Sequence, residues 1–213
     1  MSKYQQHHSK YCYPGTEVLI NKLNIQDLSK LEKAERIFTL KRLAELHHKP
    51  IPGDFNLKHL KEIHKHLFQD IYPFNGQIRN EQISKGATTF ASPLHIESYS
   101  KELFKELKSE KQLKHLDVEQ FSERAAHYMS EINILHPFRE GNGRTQREFI
   151  RTLAMKNGYE LDWSRVDTKT LLDASIKSVR DPKDLGEVIK DSIVNQQPER
   201  VIIEIFEERT LSR

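Results

Sequence analysis

The sequence predicts an all-α domain interrupted by a single β-hairpin. Apolar residues recur at helical spacing over most of the chain. Only eight glycines and eight prolines punctuate 213 residues, which leaves room for long helices and few turns. One segment, Phe74 to Pro93, carries β-prone pieces around turn residues.

Residues 1–23 are mixed and polar, with a turn signal at Tyr13-Pro14-Gly15. From Asp27 to His47 the positions Leu28, Leu31, Ile37, Leu40 and Leu43 recur at helical spacing. His48-Lys49-Pro50-Ile51-Pro52-Gly53 stops that helix, because proline disfavours helical geometry in the residue before it. A second helix from about Leu57 to Asp70 turns Leu60, Ile63, Leu67 and Ile71 inward. The hairpin then draws on Gln77-Ile78-Arg79, Gln82-Ile83-Ser84, Lys85-Gly86 and Thr88 to Ser92; a two-stranded ribbon is marginal unless it lies on something.

Helical pattern returns at His95–Leu113 and at Val118–Leu135. In the latter, Val118, Phe121, Ala125, Tyr128, Met129 and Ile132 form an apolar stripe, while Glu119, Glu123, Arg124 and Ser130 face away. Arg144–Asn157 is a further helix closed at Asn157-Gly158. Asp167–Ser178 and Leu185–Asn195 are two more. Residues 198–213 follow Pro198 and read as a terminal helix or the start of a linker, which divides the chain into a domain at 1–197 and a tail at 198–213. Trp163, Tyr159 and Leu161 read as core, and His7-His8 and His47-His48 as exposed.

Composition bounds the function. Hydrophobic residues make up 36% and charged residues 31%, an ordinary globular balance. The net charge of +3 is the difference between 34 basic and 31 acidic side chains, and no stretch collects the excess, so nucleic acid is not indicated. A single cysteine, Cys12, rules out an internal disulfide framework and a cysteine-based zinc site. The other histidines form no HExxH and no i, i+4 pair, which argues against zinc. No apolar run approaches the roughly 18 residues of a membrane span, and the first ten residues lack a secretory core. The expected location is the cytoplasm where the chain is made, with delivery to a host cell left open if it is part of a longer effector.

The densest cluster of reactive residues is His136-Pro137-Phe138-Arg139-Glu140-Gly141-Asn142-Gly143-Arg144-Thr145-Gln146-Arg147. Pro137 discourages continued helix, so His136 should sit at a helix end. Gly141 and Gly143 permit positive φ and close approach of a ligand. The next helix starts there, and its unpaired N–H groups make an anion site from backbone. Arg144, Arg147 and Arg151 share one helix face, opposite Phe149, Ile150, Leu153 and Ala154. Guanidinium groups can grip phosphate oxygens in fixed geometry. Arg151 lies outside the cluster and reads as a solvated surface charge. Glu140 is a hard oxygen ligand of the kind Mg²⁺ uses beside phosphates. His136, with an unperturbed pKa of about 6.5, can accept a proton from a hydroxyl. These are the parts of phosphoryl or nucleotidyl transfer. The loop is not a Walker A sequence, for it lacks the lysine and the spacing.

This stretch resembles the motif of the Fic family, H-x-F-x-(D/E)-G-N-G-R-x-x-R, at every specified position. Leu67 to Arg79 resembles the segment leading into that family's hairpin, and the likeness covers about residues 10–195. The resemblance implies a helical Fic fold with a hairpin flap beside the active-site loop, and transfer of AMP from ATP to a Ser, Thr or Tyr hydroxyl of a target protein. It implies that His136 is the base and that Glu140 holds Mg²⁺. It implies that Gly141, Asn142 and Gly143 form the anion hole, with the Asn142 side chain near the α-phosphate. Arg144 and Arg147 would hold the β- and γ-phosphates, and Phe138 would be a buried anchor. Lys85, Gly86, Thr88, Thr89 and Phe90 resemble the flap that pairs with an extended target segment, although Phe90 suits plain packing equally well.

Three rival functions stand beside this one, of which removal of AMP would use the same residues with a regulatory glutamate. A binding module would hold nucleotide without turnover, but has no need of His136. Phosphotransfer of the Doc type would hold ATP in the opposite sense, and that branch has lysine where this chain has Gly143. Many Fic proteins are inhibited by a helix bearing (S/T)-x-x-x-E-(G/N), whose glutamate pairs with the second motif arginine, here Arg147. In this chain only Ser98 is followed four residues later by glutamate, Glu102, and Leu103 comes next. The expectation is a separate antitoxin-like protein that supplies the glutamate, placing the chain in the toxin-like class, or else that the chain is a fragment of a longer effector.

Overall fold

The computed structural model describes residues 9–86 and 88–211. Among these lie α1 (Leu28–His48), α2 (Leu57–Phe68), α3 (Ile96–Ser109), α4 (Val118–Leu135), α5 (Asn142–Lys156), α6 (Thr168–Lys177), α7 (Lys183–Ser192) and α8 (Arg200–Leu211), with β1 (Ser84–Lys85) and β2 (Thr88–Thr89) between α2 and α3. The architecture is helical with one ribbon, as the spacing of apolar residues predicts. His7 and His8 lie outside the described residues; His47 and His48 are exposed. No helix among the described residues is long and apolar enough to cross a membrane.

Short polar residues start several helices by satisfying free N–H groups. Asp27 accepts from Lys30 N (2.9 Å), Asn56 from His59 N (3.0 Å) and Asp117 from Gln120 N (2.9 Å). Asp167 accepts from Lys169 N and Thr170 N at the start of α6. α5 is the axis of the fold: α2, α4 and α8 lie against it, α7 runs along α4, α6 rests on α7, and α1 rests on α2. Every residue from Glu148 to Met155 is buried.

A helix enclosed on all sides must satisfy its polar side chains within the protein. Arg151 is therefore no surface charge. It forks onto Glu148 at 2.7 and 2.8 Å and donates to Leu46 O at 3.1 Å, and with α8 lying against α5 little of it reaches solvent. Ser130 is a second correction: the end of α6 covers its side of α4, and its hydroxyl donates to Ser178 O (2.6 Å). The third concerns α1. Its apolar positions Ile37 and Leu40 are 67% and 60% exposed, and the face turned inward carries Leu31, Glu35, Thr39 and Leu46. By contrast α2 buries Leu60, Ile63, Leu67 and the following Ile71 as its spacing predicts.

The ribbon is shorter than the β-prone segment that contains it. Ser84 pairs with Thr89 and Lys85 with Thr88, antiparallel, and Gly86 takes φ +59° at the turn. Ile83 and Phe90 form a small apolar cluster beneath it, so the ribbon does lie on something. At the other end of the chain, α8 seats Phe206 in the main core. Tyr159 and Leu161 are buried and Trp163 packs against them in part.

Candidate active site

α4 ends on His136, whose backbone is left-handed (φ 45°, ψ 59°) while its N–H still bonds Ile132 O at 3.0 Å. Glycine or asparagine usually fills that position, and a strained residue there is typical of functional sites. The turn points the imidazole back over the helix end. Its Nδ1 lies 3.2 Å from Asn133 O. A carbonyl only accepts, so Nδ1 carries the proton and Nε2 keeps its lone pair. The ring of Phe90 stacks on the imidazole at 3.7 Å and 18°. Burial pushes the His136 pKa down to about 3; Asn133 opposes the shift, while Arg79 and Lys85 add to it. The imidazole is thus neutral across the physiological range, rather than titrating near the unperturbed value.

Arg79 secures this end of α4. Its guanidinium is buried and donates to His136 O (2.8 Å), Leu135 O (3.2 Å), Ala91 O (2.5 Å) and Glu81 O (2.7 Å). Its own N–H bonds Pro137 O (2.9 Å) and Ala91 N bonds Ile134 O (3.1 Å). One side chain therefore ties the ribbon's exit to the residue that bears the imidazole.

The loop after His136 is held from both sides. Phe138 is buried and stacks on His64 at 3.9 Å and 15°. Gly76 N donates to His64 Nδ1 (2.8 Å), so Nε2 carries the proton and donates to Glu140 O (2.9 Å). Burial holds that imidazole down to about 4. The Asn142 side chain accepts from Phe138 N (2.9 Å) and donates to Phe138 O (2.8 Å). One N–H and the carbonyl of its amide thereby close the loop on itself. Gly141 has φ +81°, and a Cβ there would fall 2.2 Å from Phe68 Cζ. Glycine is required on both counts.

α5 begins at Asn142 with no side-chain cap. The N–H groups of Asn142, Gly143 and Arg144 precede its first intrahelical bond, from Thr145 N to Gly141 O (3.1 Å). Two arginines flank them in unlike states. Arg144 donates to Glu35 Oε1 (2.6 Å) and Thr39 Oγ1 (3.3 Å), lies 4.8 Å over the Phe68 ring, and sits 3.7 Å from Glu140 Oε1. Burial opposes its charge, but Glu35 and Glu140 overcome that and raise its pKa. Arg147 pairs with no carboxylate among the described residues. Burial, and then the charge of Arg144, lower its pKa. Glu140 accepts from Gly141 N (3.0 Å).

Among the described residues no cluster of three or more His, Cys, Asp or Glu could hold a metal alone. The donor set nevertheless fits Mg²⁺ of the phosphate-bridging kind, which needs one or two carboxylates and completes its shell with phosphate oxygens and water. Of the flap residues, Lys85, Gly86 and Thr89 are exposed, Thr88 is half-buried and Phe90 is buried. Sequence reading missed Glu35, Thr39, Phe68, His64 and Arg79. Glu35 and Thr39 do follow Leu31 at i+4 and i+8, which places them on one helix face, but a charged residue at such a position reads as solvated.

Fold and site together define a helical domain that sets a neutral imidazole one loop ahead of the uncapped start of α5 and two guanidinium groups. Residues 54–154 match the sequence profile of the Fic/DOC family. The protein adenylyltransferase VbhT of Bartonella schoenbuchensis is 45% identical over 185 residues, 87% of this chain and 39% of VbhT. The probable protein adenylyltransferase y4lH of Sinorhizobium fredii is 40% identical over 180 residues, 84% of this chain and 92% of that protein. BepC of Bartonella tribocorum, a VirB-translocated effector with bound AMPPNP, superposes with a TM-score of 0.80 at 27% identity, over 88% of this chain and 97% of that chain. The chain belongs to the Fic/DOC family.

Proposed function

We propose that this chain transfers AMP from ATP to a hydroxyl side chain of a target protein. The observation that carries the proposal is an oriented, neutral imidazole that ends α4, one loop ahead of Arg147, a half-buried cation on α5 with no carboxylate partner among the described residues. The target hydroxyl attacks the α-phosphorus of ATP. A new oxygen–phosphorus bond forms, the bond to the bridging α,β-oxygen breaks, and pyrophosphate leaves. His136 Nε2 takes the hydroxyl proton. Gly141, Asn142 and Gly143 form the anion hole at the start of α5, and Arg144 and Arg147 hold the outer phosphates. Glu140 would hold Mg²⁺ together with phosphate oxygens, where the ion neutralises charge between them. Phe138 anchors the loop, and the Asn142 side chain, which bonds the Phe138 backbone, lies near the α-phosphate.

An extended target segment adds to the ribbon at Lys85, Gly86, Thr88 and Thr89, with Phe90 beneath. The catalytic unit is residues 1–197, and 198–213 is the tail that α8 lays on it. Arg147 is the seat for a glutamate supplied by a separate antitoxin-like protein. Two observations support this: no carboxylate of the described residues pairs with Arg147, and Ser98, Glu102 and Leu103 depart from the inhibitory pattern. The protein works in the cytoplasm where it is made, or in a host cell if it is a piece of a longer effector.

The test is transfer from ATP labelled at the α- or the γ-phosphate, in lysate, with wild type and His136→Ala. Label on protein from the α-position only, lost in the variant, is the expected result. Label from the γ-position would mean phosphotransfer of the Doc type, and nucleotide binding without labelling would mean a module that does not turn over.

A further inference from the structure

The carboxylate that grips Arg144 comes from outside the stretch that carries the motif. Glu35 lies on α1, ahead of residues 54–154 that match the family profile. It is 7% exposed, an uncommon place for a glutamate. One oxygen takes a hydrogen bond from Arg144 Nη2 at 2.6 Å, and the other takes one from the buried hydroxyl of Tyr72. Four residues on, Thr39 Oγ1 accepts from Arg144 Nη1 at 3.3 Å while donating to Glu35 O at 2.7 Å. The ring of Phe68 supports the guanidinium from α2. Both Nη atoms are thus fixed from α1, and the remaining donors of the guanidinium are left for another ligand.

Arg144 has a second carboxylate within reach, Glu140 Oε1 at 3.7 Å. A guanidinium and a carboxylate that close pair up when nothing competes. Without Glu35 the side chain of Arg144 would swing onto Glu140. That would remove a phosphate donor and occupy the one carboxylate of the loop suited to a cation.

We infer that Glu35 and Thr39 are positioning residues of the nucleotide site: they keep Arg144 from closing from 3.7 Å to a direct hydrogen bond with Glu140 and aim it at the outer phosphates of ATP. The inference rests on the proposed nucleotide reading. It fixes a division of labour between the two motif arginines. Arg144, already neutralised by Glu35, contributes direction, whereas Arg147 contributes uncompensated charge. It also makes α1 part of the working site.

The experiment is calorimetric titration of the whole chain with ATP and, separately, with AMP, which lacks the outer phosphates. Glu35→Ala is expected to weaken ATP binding about ten-fold or more, which corresponds to about 1.4 kcal/mol, and to leave AMP binding within a factor of about two. Glu35→Gln, which keeps an acceptor for Arg144, should recover part of the loss. In an Arg144→Ala background Glu35→Ala should cost nothing further for ATP, as expected for two residues acting as one unit. If Glu35→Ala does not fold, Thr39→Val removes only the second contact, and should weaken ATP about two- to three-fold with AMP unchanged. Equal losses for ATP and AMP, full additivity with Arg144→Ala, or tighter ATP binding would each overturn the inference while the function stands. Failure of the wild-type chain to bind ATP would overturn the nucleotide reading and this inference with it.

Discussion

Two glycines separated by one residue should respond to the same substitution with opposite sign. Gly141→Ala places a Cβ on a backbone at φ +81°, which costs about 1–2 kcal/mol for an L-residue. That Cβ would also lie 2.2 Å from Phe68 Cζ and 2.3 Å from Phe68 Cε2, in a core where the ring cannot retreat. Overpacking of this kind costs about 1–3 kcal/mol, so the expected total is about 2–5 kcal/mol of lost stability. At Gly143 the backbone is helical and a Cβ meets only the end of the flexible Arg147 side chain, at 3.4 Å. There alanine recovers about 0.5–1 kcal/mol of helix stability relative to glycine. Urea unfolding followed by far-UV circular dichroism gives both values from one pair of curves. If the two variants unfold at the same urea concentration, or if Gly143→Ala is the less stable, the assignment of Gly141 as the sterically required glycine is wrong.

Three other outcomes follow from the geometry. Arg151→Ala strands Glu148 in the core and should cost about 3–5 kcal/mol in the same assay, where a surface arginine would cost almost nothing. His59 and His64 are both held down to about 4 by burial. Their neutral forms contribute stability in full above the unfolded value of about 6.5, and that contribution declines as pH falls toward 4. Unfolding free energy should therefore drop by about 2 kcal/mol per histidine between pH 7.5 and 5; a flat profile over that window would refute it. Phe90→Ala uncovers the His136 imidazole to water, so its pKa, followed by ring nitrogen chemical shifts, should climb from about 3 toward the ordinary range. An unchanged titration would show that the stacked ring does not contribute to its desolvation.

The fold was legible in the sequence wherever burial and apolar character coincide. Leu60, Ile63 and Leu67 declare the inward face of α2, and Phe121, Ala125, Met129 and Ile132 that of α4, because those faces meet other apolar surfaces. α1 misleads for a chemical reason. Its inward face meets Arg144 and Tyr72, so it needs Glu35 and Thr39 there, while Ile37 and Leu40 remain in solvent. The motif loop was legible because its residue types at those offsets serve no packing purpose together. What supports the loop was not. His64 and Arg79 act through main-chain carbonyls and amides that can belong to any residue, so no partner in the sequence points to them. The depressed pKa of His136 depends on its burial, which only the folded chain brings about.

The Arg79 tie has a bearing on how a modified residue would be chosen. Because Ala91 O, Leu135 O and His136 O all hang from one guanidinium, the ribbon and the imidazole share a common origin, as the jaw and scale of a gauge do. A segment laid along the ribbon, as proposed, would be measured from that origin. Sliding it by one residue would shift the presented side chain by about 3.3 Å and turn it to the opposite face. Choice of the hydroxyl would then rest on the register of a very short pairing, and sequences on either side of the acceptor would matter through where they let the segment stop.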